Sequence, residues 1–279
     1  MCQILVVGSV AASTLASSCT LTTSLDGLAG QVVIAGDGGT DGGGDADGSS
    51  SGTDGSSGTD GEAGVHGDGG DFCAGALFCD RFERTTLLGD WTTQGTSAGS
   101  SLTLVPTTGR AGASGLRVSL APEEGTRAVL TKDITVSTPR VRLAFSMFHP
   151  AGSATRAANG PAILANDGVT QDGILLVLFG NSLIVAEQEF VNDTQAFYVE
   201  RGMVSVIADR WVDVVIELDR TTSPRKVTAT YDGKPFVDKV TLQAPFAKAP
   251  NLVFFGSGFA PAGSAMTFDF DDVRIDALP

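Results

Sequence analysis

The chain has 279 residues and a formal charge of −14 at pH 7, with 36 glycines and four cysteines. Residues 36–71 are almost wholly Gly, Asp, Ser and Thr, and they carry nine acidic residues and no Lys or Arg. An acidic chain without a basic stripe argues against nucleic-acid binding and offers no polybasic patch for anionic lipids. The spacing of the four cysteines is wrong for a zinc site, and two histidines leave little material for a His-based metal site.

The N-terminal segment has the pattern of an export signal. Residues 4–18 are apolar and small and carry no charge, and they are too short to span a bilayer comfortably as a helix. The motif LASSC, which ends at Cys19, resembles the lipobox of bacterial lipoproteins, in which the cysteine is lipidated. The resemblance implies a signal over residues 1–19 and an exported chain, anchored by lipid at the outer membrane, the cell surface or in the periplasm. The alternative is an ordinary signal peptide cleaved near Ala16 or Ser18.

Residues 20–71 are predicted to be a disordered acidic linker. From Gly36 onward almost nothing apolar offsets the entropy of ordering a glycine-rich backbone, and SSGTDG occurs twice in succession, at 50–55 and 56–61. The stretch lacks the regularly placed aliphatic residue of calcium-binding Gly/Asp repeats. With Cys19 lipidated, this linker would be a tether that holds residues 72–279 off a membrane, and the anchor would be the membrane contact of the chain.

Residues 72–279 are predicted to form the folded domain. In an exported chain, Cys73 and Cys79 are expected to pair as a disulfide, which would stabilise the fold by roughly 2 to 2.5 kcal/mol; two buried thiols are the alternative. Short runs with apolar residues at every second position follow, separated by turn signals. These runs include residues 102–104, 116–120, 141–147 and 252–255.

Two segments have the pattern of antiparallel hairpins. Residues 173–190 hold two apolar runs around Gly180-Asn181, a two-residue turn signal. Both runs are apolar at either parity, so we expect this hairpin to be covered on both faces. Residues 211–233 hold two alternating runs around a polar break. Their apolar residues share one face, which needs a second sheet to cover it, whereas Trp211 and Asp213 belong to the other face.

The last apolar run changes parity. Phe268 and Phe270 share one parity, whereas Val273 and Ile275 share the other, so a strand that keeps its apolar face inward must bulge near residue 271. No window of twelve or more residues has a helical stripe. The sequence therefore predicts an all-β fold of about a dozen short antiparallel strands, arranged as a sandwich or barrel.

Three motifs carry a resemblance to a known family. FCDRFE at 78–83, WVDVVIELD at 211–219 followed by YDGK, and FDDVRID at 270–276 resemble concanavalin A-like lectin/glucanase (LamG-like) jelly rolls. CTLTTSLDGL at 19–28, followed by the Gly/Asp/Ser tether, is similar to the lead-in of predicted surface lipoproteins of myxobacteria. The resemblance implies a jelly-roll β-sandwich of two curved antiparallel sheets with adjacent first and last strands. It also implies a concave face that in many relatives binds glycans.

Catalysis has weak support. Relatives that cleave glycans carry E-x-D-x-x-E on one strand, and Glu187 and Glu189 are the nearest match, about 7 Å apart along a strand. A retaining glycosidase needs two carboxylates about 5–5.5 Å apart, and Asn192 replaces the final acid of the motif. In a serine hydrolase, His149 would have to act as the base, since it is the one histidine in residues 72–279. It is instead predicted to lie at the end of a strand. We therefore expect no enzyme activity.

Carbohydrate binding needs less. Sugar sites combine an aromatic platform with amides and carboxylates. The platform candidates are Trp91 and Tyr198, with Trp211 and Tyr231 as further aromatic residues; for both tryptophans a core position is the alternative. The polar candidates fall in residues 152–172, predicted to be one long loop of the kind in which function concentrates: Asn159, Asn166 and Asp167.

A structural calcium ion is a further hypothesis. Asp80 and Glu83 near the start of the domain, with Asp271 and Asp272 at the predicted bulge, supply hard oxygen ligands. The alternative is that these carboxylates lie at a sheet edge and discourage edge pairing.

The sequence thus favours a cell-surface lipoprotein whose jelly-roll domain binds a polysaccharide, another glycan or a cell surface without catalysis. Two alternatives stay open: a glycan-processing enzyme with an atypical acid pair, and a purely structural surface protein.

Overall fold

The computed structural model describes residues 72–110, 114–153, 157–192, 194–263 and 265–279. The predictions for the signal, Cys19 and the linker therefore lie outside the described residues. The described ranges contain fifteen β-strands and no helix, and thus no helix that could cross a membrane. The predicted all-β fold is confirmed.

The strands follow one another with short connections. In chain order they are β1 (Phe78–Asp80), β2 (Thr93–Thr96), β3 (Ser101–Val105), β4 (Gly115–Leu120), β5 (Thr126–Asp133), β6 (Arg140–Phe148), β7 (Ala158–Asn166), β8 (Thr170–Phe179), β9 (Ser182–Val191), β10 (Thr194–Ser205), β11 (Trp211–Asp219), β12 (Lys226–Tyr231), β13 (Lys234–Thr241), β14 (Leu252–Ala260) and β15 (Met266–Leu278).

The strands form two sheets that pack as a sandwich. The eight-stranded sheet has the order β13-β12-β11-β6-β15-β4-β3, and β1 pairs with the C-terminal part of β15. The seven-stranded sheet has the order β10-β9-β8-β7-β14-β5-β2. The pairings are antiparallel throughout the described residues, for example between the first and last strands. The adjacency of those two strands agrees with the expectation from the resemblance.

Both predicted hairpins are present. Phe179 and Ser182 are partners across Gly180-Asn181, so β8 and β9 are joined by the expected two-residue turn. Val214 is the partner of Tyr231 in the hairpin of β11 and β12. The side chains at every second position of β11, from Val212 to Leu218, are at most 1% exposed, which places the apolar face of this hairpin against the other sheet.

The core between the sheets is centred on an aromatic cluster. Phe255 of β14 lies 4.7 Å from Phe270 and 5.3 Å from Phe145, measured between ring centroids, and both partners belong to the opposite sheet. Trp91 stacks on the same ring at 5.6 Å. Aromatic pairs at these separations stabilise beyond the area that they bury, so Phe255 joins the two sheets.

The predicted bulge in β15 is also present. The register with β6 shifts between Asp271 and Arg274, and Asp272 has a positive φ of 50°. The shift lets apolar residues of both parities face the core. Accordingly Phe270 before the bulge and Val273 after it are both fully buried.

The long loop predicted over residues 152–172 is wrong. Its centre is the nine-residue strand β7, which pairs with β8 on one side and with β14 on the other. The segment is rich in Ala and Gly and contains Pro161, a composition that is atypical of strands. Pro161 lies in the irregular step between Asn159 and Ala162, where a missing ladder hydrogen bond is tolerated.

The start of the domain is tied to the last strand. Cys73 and Cys79 form a disulfide, as the sequence predicts. Arg274 of β15 donates hydrogen bonds to the backbone carbonyls of Phe72 and Ala74. The first described residues are therefore held against the sheet by both a covalent bond and a side chain.

Replacing Phe255 by Ala should destabilise the protein by about 3–5 kcal/mol, because the cavity would remove contacts with both sheets. Urea unfolding followed by far-UV circular dichroism measures this loss. The matched control is Phe179→Ala, since Phe179 is 53% exposed and its truncation should change the free energy of unfolding by about 0.5 kcal/mol or less. Equal losses in the two variants would contradict the assignment of the core.

Candidate functional site

The outward side of the seven-stranded sheet carries a second apolar cluster, separate from the core. We call this side the outer face. Its buried members come from β7, β8 and β9 and from the residue preceding β7: Ala157, Ala162, Leu164, Leu175, Val177, Ile184 and Ala186. Tyr198 of β10 and Leu252 and Phe254 of β14 pack against them, partly buried. The hairpin of β8 and β9 is thus buried on both sides, as the sequence predicts.

A row of residues crosses the outer face from its edge. Tyr198 is the partner of Gln188, Gln188 of Gly173, and Gly173 of Leu164. A Cβ at Gly173 would lie 2.7 Å from Leu164 Cδ2 and 3.4 Å from Gln188 Cγ. A side chain at position 173 would therefore collide first with the end of Leu164, whereas Gln188 lies at an ordinary contact distance.

Gln188 is the unusual member of this row. Its side chain is 2% exposed, and its Oε1 atom has no hydrogen-bond partner in the structure. A buried acceptor without a partner costs about 1–3 kcal/mol. The atom itself is buried, so a donor from another molecule reaches it only when the side chains that cover it move aside.

Tyr198 borders Gln188 and remains neutral. Burial, with a smaller effect from Glu200, raises the pKa of the Tyr198 hydroxyl to about 12. The phenol is thus a hydrogen-bond donor and an aromatic surface at neutral pH, and it is not poised to act as a base.

The predicted amide and carboxylate ligands have structural roles. Asn166 Oδ1 accepts a hydrogen bond from Gly168 N, and Asp167 Oδ1 accepts bonds from Val169 N and Thr170 N. Both residues thereby build the turn between β7 and β8. Asn159 is buried in the irregular part of β7. The structure places Asn166 on the same sheet as Tyr198 but three strands away, so it does not join these residues in one site.

Trp91 is not a platform. It is 3% exposed, stacks on Phe255 and donates a hydrogen bond from Nε1 to Asp80 Oδ2 at 2.6 Å. The core position, the alternative considered for this residue, is the one that the structure shows. Trp211 instead lies outside the core at the start of β11, half-buried beside Phe148.

The structure does not assemble the proposed calcium ligands. Asp80 accepts hydrogen bonds from Phe82 N, Trp91 Nε1 and Arg84, so its oxygens are occupied within its own loop. Asp271 accepts bonds from the backbone N atoms of Arg110 and Asp272. Among the described residues, no group of three or more His, Cys, Asp or Glu side chains is placed to hold a metal ion. Glu83 and Asp272 add charge near Asp271 without completing such a group.

Glu187 and Glu189 face inward, toward the eight-stranded sheet. Glu187 is fully buried, is bound by Arg201 of β10, and accepts a hydrogen bond from Ala244 N. Ala244 belongs to residues 242–251, which connect β13 with β14 and so cross from one sheet to the other; we call them the crossover segment. Glu187 therefore fixes the crossover segment and is closed to a substrate, so it cannot serve as the predicted catalytic carboxylate.

Asp172 is a second inward carboxylate, which the sequence interpretation missed. It is the partner of Glu189 across β8 and β9, is 4% exposed, and has one oxygen, Oδ1, without a hydrogen-bond partner. The Asp172 carboxylate accepts a hydrogen bond from the backbone N of Phe246 in the crossover segment. Burial, followed by the charge of Glu189, raises the pKa of Asp172 to about 6. The only sequence signal for the inward position of Asp172 is that it lies an even number of residues from Ile174 and Leu176, on the same side of the strand.

An open cleft of about 700 Å³ lies apart from the outer face. It is bordered by the turn at 97–99 and the turn at 120–126, where Glu123 and Glu124 are exposed. Its lining residues include no aromatic ring. The cleft therefore lacks the platform that a sugar site needs.

Comparison with solved structures finds proteins of similar fold. An endo-β-1,4-glucuronan lyase from the fungus Trichoderma reesei matches with a TM-score of 0.56 and 12% identity, over 73% of this chain and 96% of that one. The cellulose-induced protein Cip1 matches with 0.53 and 14%, over 72% and 97%. An alginate lyase, vAL-1, from a Chlorella virus matches with 0.50 and 10%, over 68% and 94%.

At this level of identity the comparisons show the fold, which is a jelly-roll β-sandwich. No protein-family model matches the chain, and no curated protein matches it. The geometry of the site is therefore the guide to function.

Replacing Asp172 by Asn should stabilise the protein at about pH 8. The pKa of Asp172 rises from 3.8 to about 6 in the fold, so the folded state binds a proton that the unfolded chain releases within this window. The free energy of unfolding therefore falls as the pH rises through it. The amide keeps an acceptor for Phe246 N and removes the buried charge. We expect a gain of about 1–2 kcal/mol, or about 2–6 °C in Tm.

Thermal unfolding at about pH 8 and pH 4 measures this effect, and the gain should vanish at the lower pH. The matched control is Asp167→Asn, because hydrogen bonds from Thr170 N and Lys248 lower the pKa of Asp167. That change should give no gain at about pH 8. A lower Tm for Asp172→Asn at that pH would refute the burial of an uncompensated charge.

Proposed function

We propose that the protein binds a neutral glycan on the outer face, without catalysis. The site would comprise Tyr198 and Gln188, with Gly173 as the gap between them and β7. Once the side chains that cover Gln188 Oε1 move aside, a sugar hydroxyl would donate to this atom while the sugar ring packs on the partly buried ring of Tyr198.

The unpartnered Oε1 of Gln188 carries this proposal. A buried acceptor is expensive unless a donor reaches it, and polyhydroxyl ligands present many donors in fixed positions. The similar solved structures support the ligand class in a general way, since their names refer to polysaccharide lyases and to a cellulose-induced protein.

Neutral sugars suit the surface better than uronates. A lyase acting on a uronate must neutralise a carboxylate and remove the proton beside it. Arg201 is bound to the inward Glu187, and Lys248 of the crossover segment is bound to Asp167. Both cations already have a carboxylate partner, and the raised pKa of Tyr198 keeps its hydroxyl protonated at neutral pH, so its phenolate is scarce as a base.

Replacing Gln188 by Met separates binding from folding. Met has a similar length and removes the unpartnered acceptor, so the free protein should become about 1 kcal/mol more stable. Glycan affinity should fall about tenfold or more, since one hydrogen bond to the sugar is lost. Affinity electrophoresis of the full chain in gels containing hydroxyethyl cellulose, xylan or barley β-glucan measures binding, and urea unfolding measures stability.

The control is Gln94→Met, because Gln94 is exposed on β2 at the other edge of the same sheet. It should change neither quantity. Retardation of the wild-type chain by none of the three polysaccharides would overturn the proposal, and so would unchanged affinity in Gln188→Met. Release of reducing ends or of unsaturated sugars from any of the three polysaccharides would instead identify an enzyme.

We also propose that the chain is an exported lipoprotein of the outer membrane or cell surface. The support is the run LASSC before Thr20 and the Gly/Asp/Ser stretch that follows. In a Gram-negative expression host fed radiolabelled palmitate, the wild-type chain should incorporate label and sediment with membranes. Cys19→Ser should abolish both, whereas Cys2→Ser should change neither. Label that persists in Cys19→Ser would refute the anchor.

A further inference from the structure

The outward side of the eight-stranded sheet carries an aromatic pair that belongs to no core cluster. Trp211, the first residue of β11, is the partner of Phe148, the last residue of β6. Their ring centroids are 5.7 Å apart with the planes tilted by 47°. Both side chains are half-buried, so each presents part of an aromatic surface to solvent.

An ion pair continues this row on the next strands. Asp269 of β15 is the partner of Phe148 on the side away from Trp211. It accepts two hydrogen bonds of 2.8 Å from Nε and Nη2 of Arg117 on β4. The row therefore runs Arg117, Asp269, Phe148, Trp211 across four adjacent strands.

A second polar row lies beside the first, about 7 Å away along the strands. Asp271, Ser146 and Asp213 are partners across β15, β6 and β11. Ser146 Oγ donates to Asp213 Oδ1 at 2.9 Å. Arg110, from the connection between β3 and β4, donates to Ser146 Oγ, to Asp213 and, through its backbone N, to Asp271.

These contacts hold the polar groups rigidly while leaving part of them exposed. The side chains of Arg110 and Asp213 retain 32% and 21% exposure. Arg117 is 37% exposed, whereas its partner Asp269 is 3% exposed. Each arginine is thus paired with one aspartate while Asp271 adds a further carboxylate, and the surface offers fixed donors and acceptors.

An aromatic pair bordered by balanced ion pairs matches a neutral polyhydroxyl ligand better than a charged one. The ring surface favours the apolar face of a sugar, and the paired Arg and Asp groups can bind its edge hydroxyls without a charge on the ligand. A pyranose resting on Trp211 would reach Asp213, which lies two residues along the same strand. In addition, Trp211 Nε1 forms no hydrogen bond with the described residues, so it remains a free donor.

We propose that Trp211 and Phe148, with Asp213 and Arg110 beside them, form a second site for a neutral glycan chain. This site shares no residue with the site of Gln188 and Tyr198 and lies on the opposite sheet of the sandwich. It therefore stands or fails independently of the proposed function. Because the two sites face in opposite directions, one molecule would hold two separate glycan chains.

Tryptophan fluorescence can report on this site directly. The chain has two tryptophans, and Trp91 is buried, so acrylamide quenches chiefly Trp211. Titrating the full chain with cellohexaose, xylohexaose and laminarihexaose should protect Trp211 from quenching with at least one of the three. Asp213→Asn keeps the reporting tryptophan and should weaken binding by about threefold or more.

Two matched variants separate the sites. Thr228 on β12 is the partner of Glu217 on β11 and faces outward on the same sheet. Thr228→Ala should leave the protection of Trp211 from quenching unchanged. Gln188→Met should also leave it unchanged while removing binding at the outer face. Isothermal titration with the same hexasaccharides should give two sites per wild-type chain and one in Trp211→Ala.

Several results would overturn the second site. The first is that none of the three hexasaccharides protects Trp211 from quenching. The second is that the wild-type chain has one binding site and that Trp211→Ala keeps it. The third is that the wild-type chain self-associates and that Trp211→Ala abolishes this self-association. The last result, from sedimentation velocity, would show that a second copy of the chain covers the aromatic pair. Loss of both sites in Gln188→Met would count against the second site, whereas loss of one would support both proposals.

Discussion

Two sheets of this protein share one apolar core, and that shared burial determines where every other side chain can point. Phe255 contacts Trp91 and Phe82 from the loops and Phe145 and Phe270 from the opposite sheet. Since side chains alternate along a strand, a strand that supplies one set to this core must present the other set to the outside. The inward positions are therefore mostly apolar, with buried carboxylates such as Glu187 and Asp172 as exceptions, and the outward positions are the ones free to evolve contacts with other molecules.

The sequence predicts most of this arrangement where the signal is local. The alternation in residues 211–233, the Gly180-Asn181 turn and the parity change near residue 271 each depend on neighbours in the chain, and each is present in the structure. The strand β7 was missed because its Ala and Gly residues fit only through the strands on either side, β8 and β14. For Trp91 both a platform and a core position were open, because its position follows from a core that forms between distant segments. Trp211 has the parity of Asp213 and Glu217 in its strand, which indicates an outward position, although a core position was also open for it.

The inward carboxylates show the limit of motif reasoning most directly. Glu187 matches part of a catalytic pattern and shares a face with Glu189, as the spacing predicts, but that face is the inner one. Arg201 and the backbone of Ala244 then convert Glu187 into an anchor for the crossover segment. Neither contact is visible locally, because one partner lies on the neighbouring edge strand and the other fifty-seven residues away. A buried pair of this kind holds a geometry, and its removal leaves an uncompensated charge.

The outward surfaces of the two sheets differ in composition: one carries an apolar cluster and the other carries ion pairs. On the seven-stranded sheet the outward side carries an apolar cluster, and the unpartnered acceptor Gln188 Oε1 beside it is energetically costly. On the eight-stranded sheet the outward side carries ion pairs such as Arg142–Asp276 and Arg140–Glu217. Against that background Trp211 and Phe148 are the exception. The neighbouring arginines are paired with Asp213 and Asp269, so the patch presents ion pairs beside an aromatic surface.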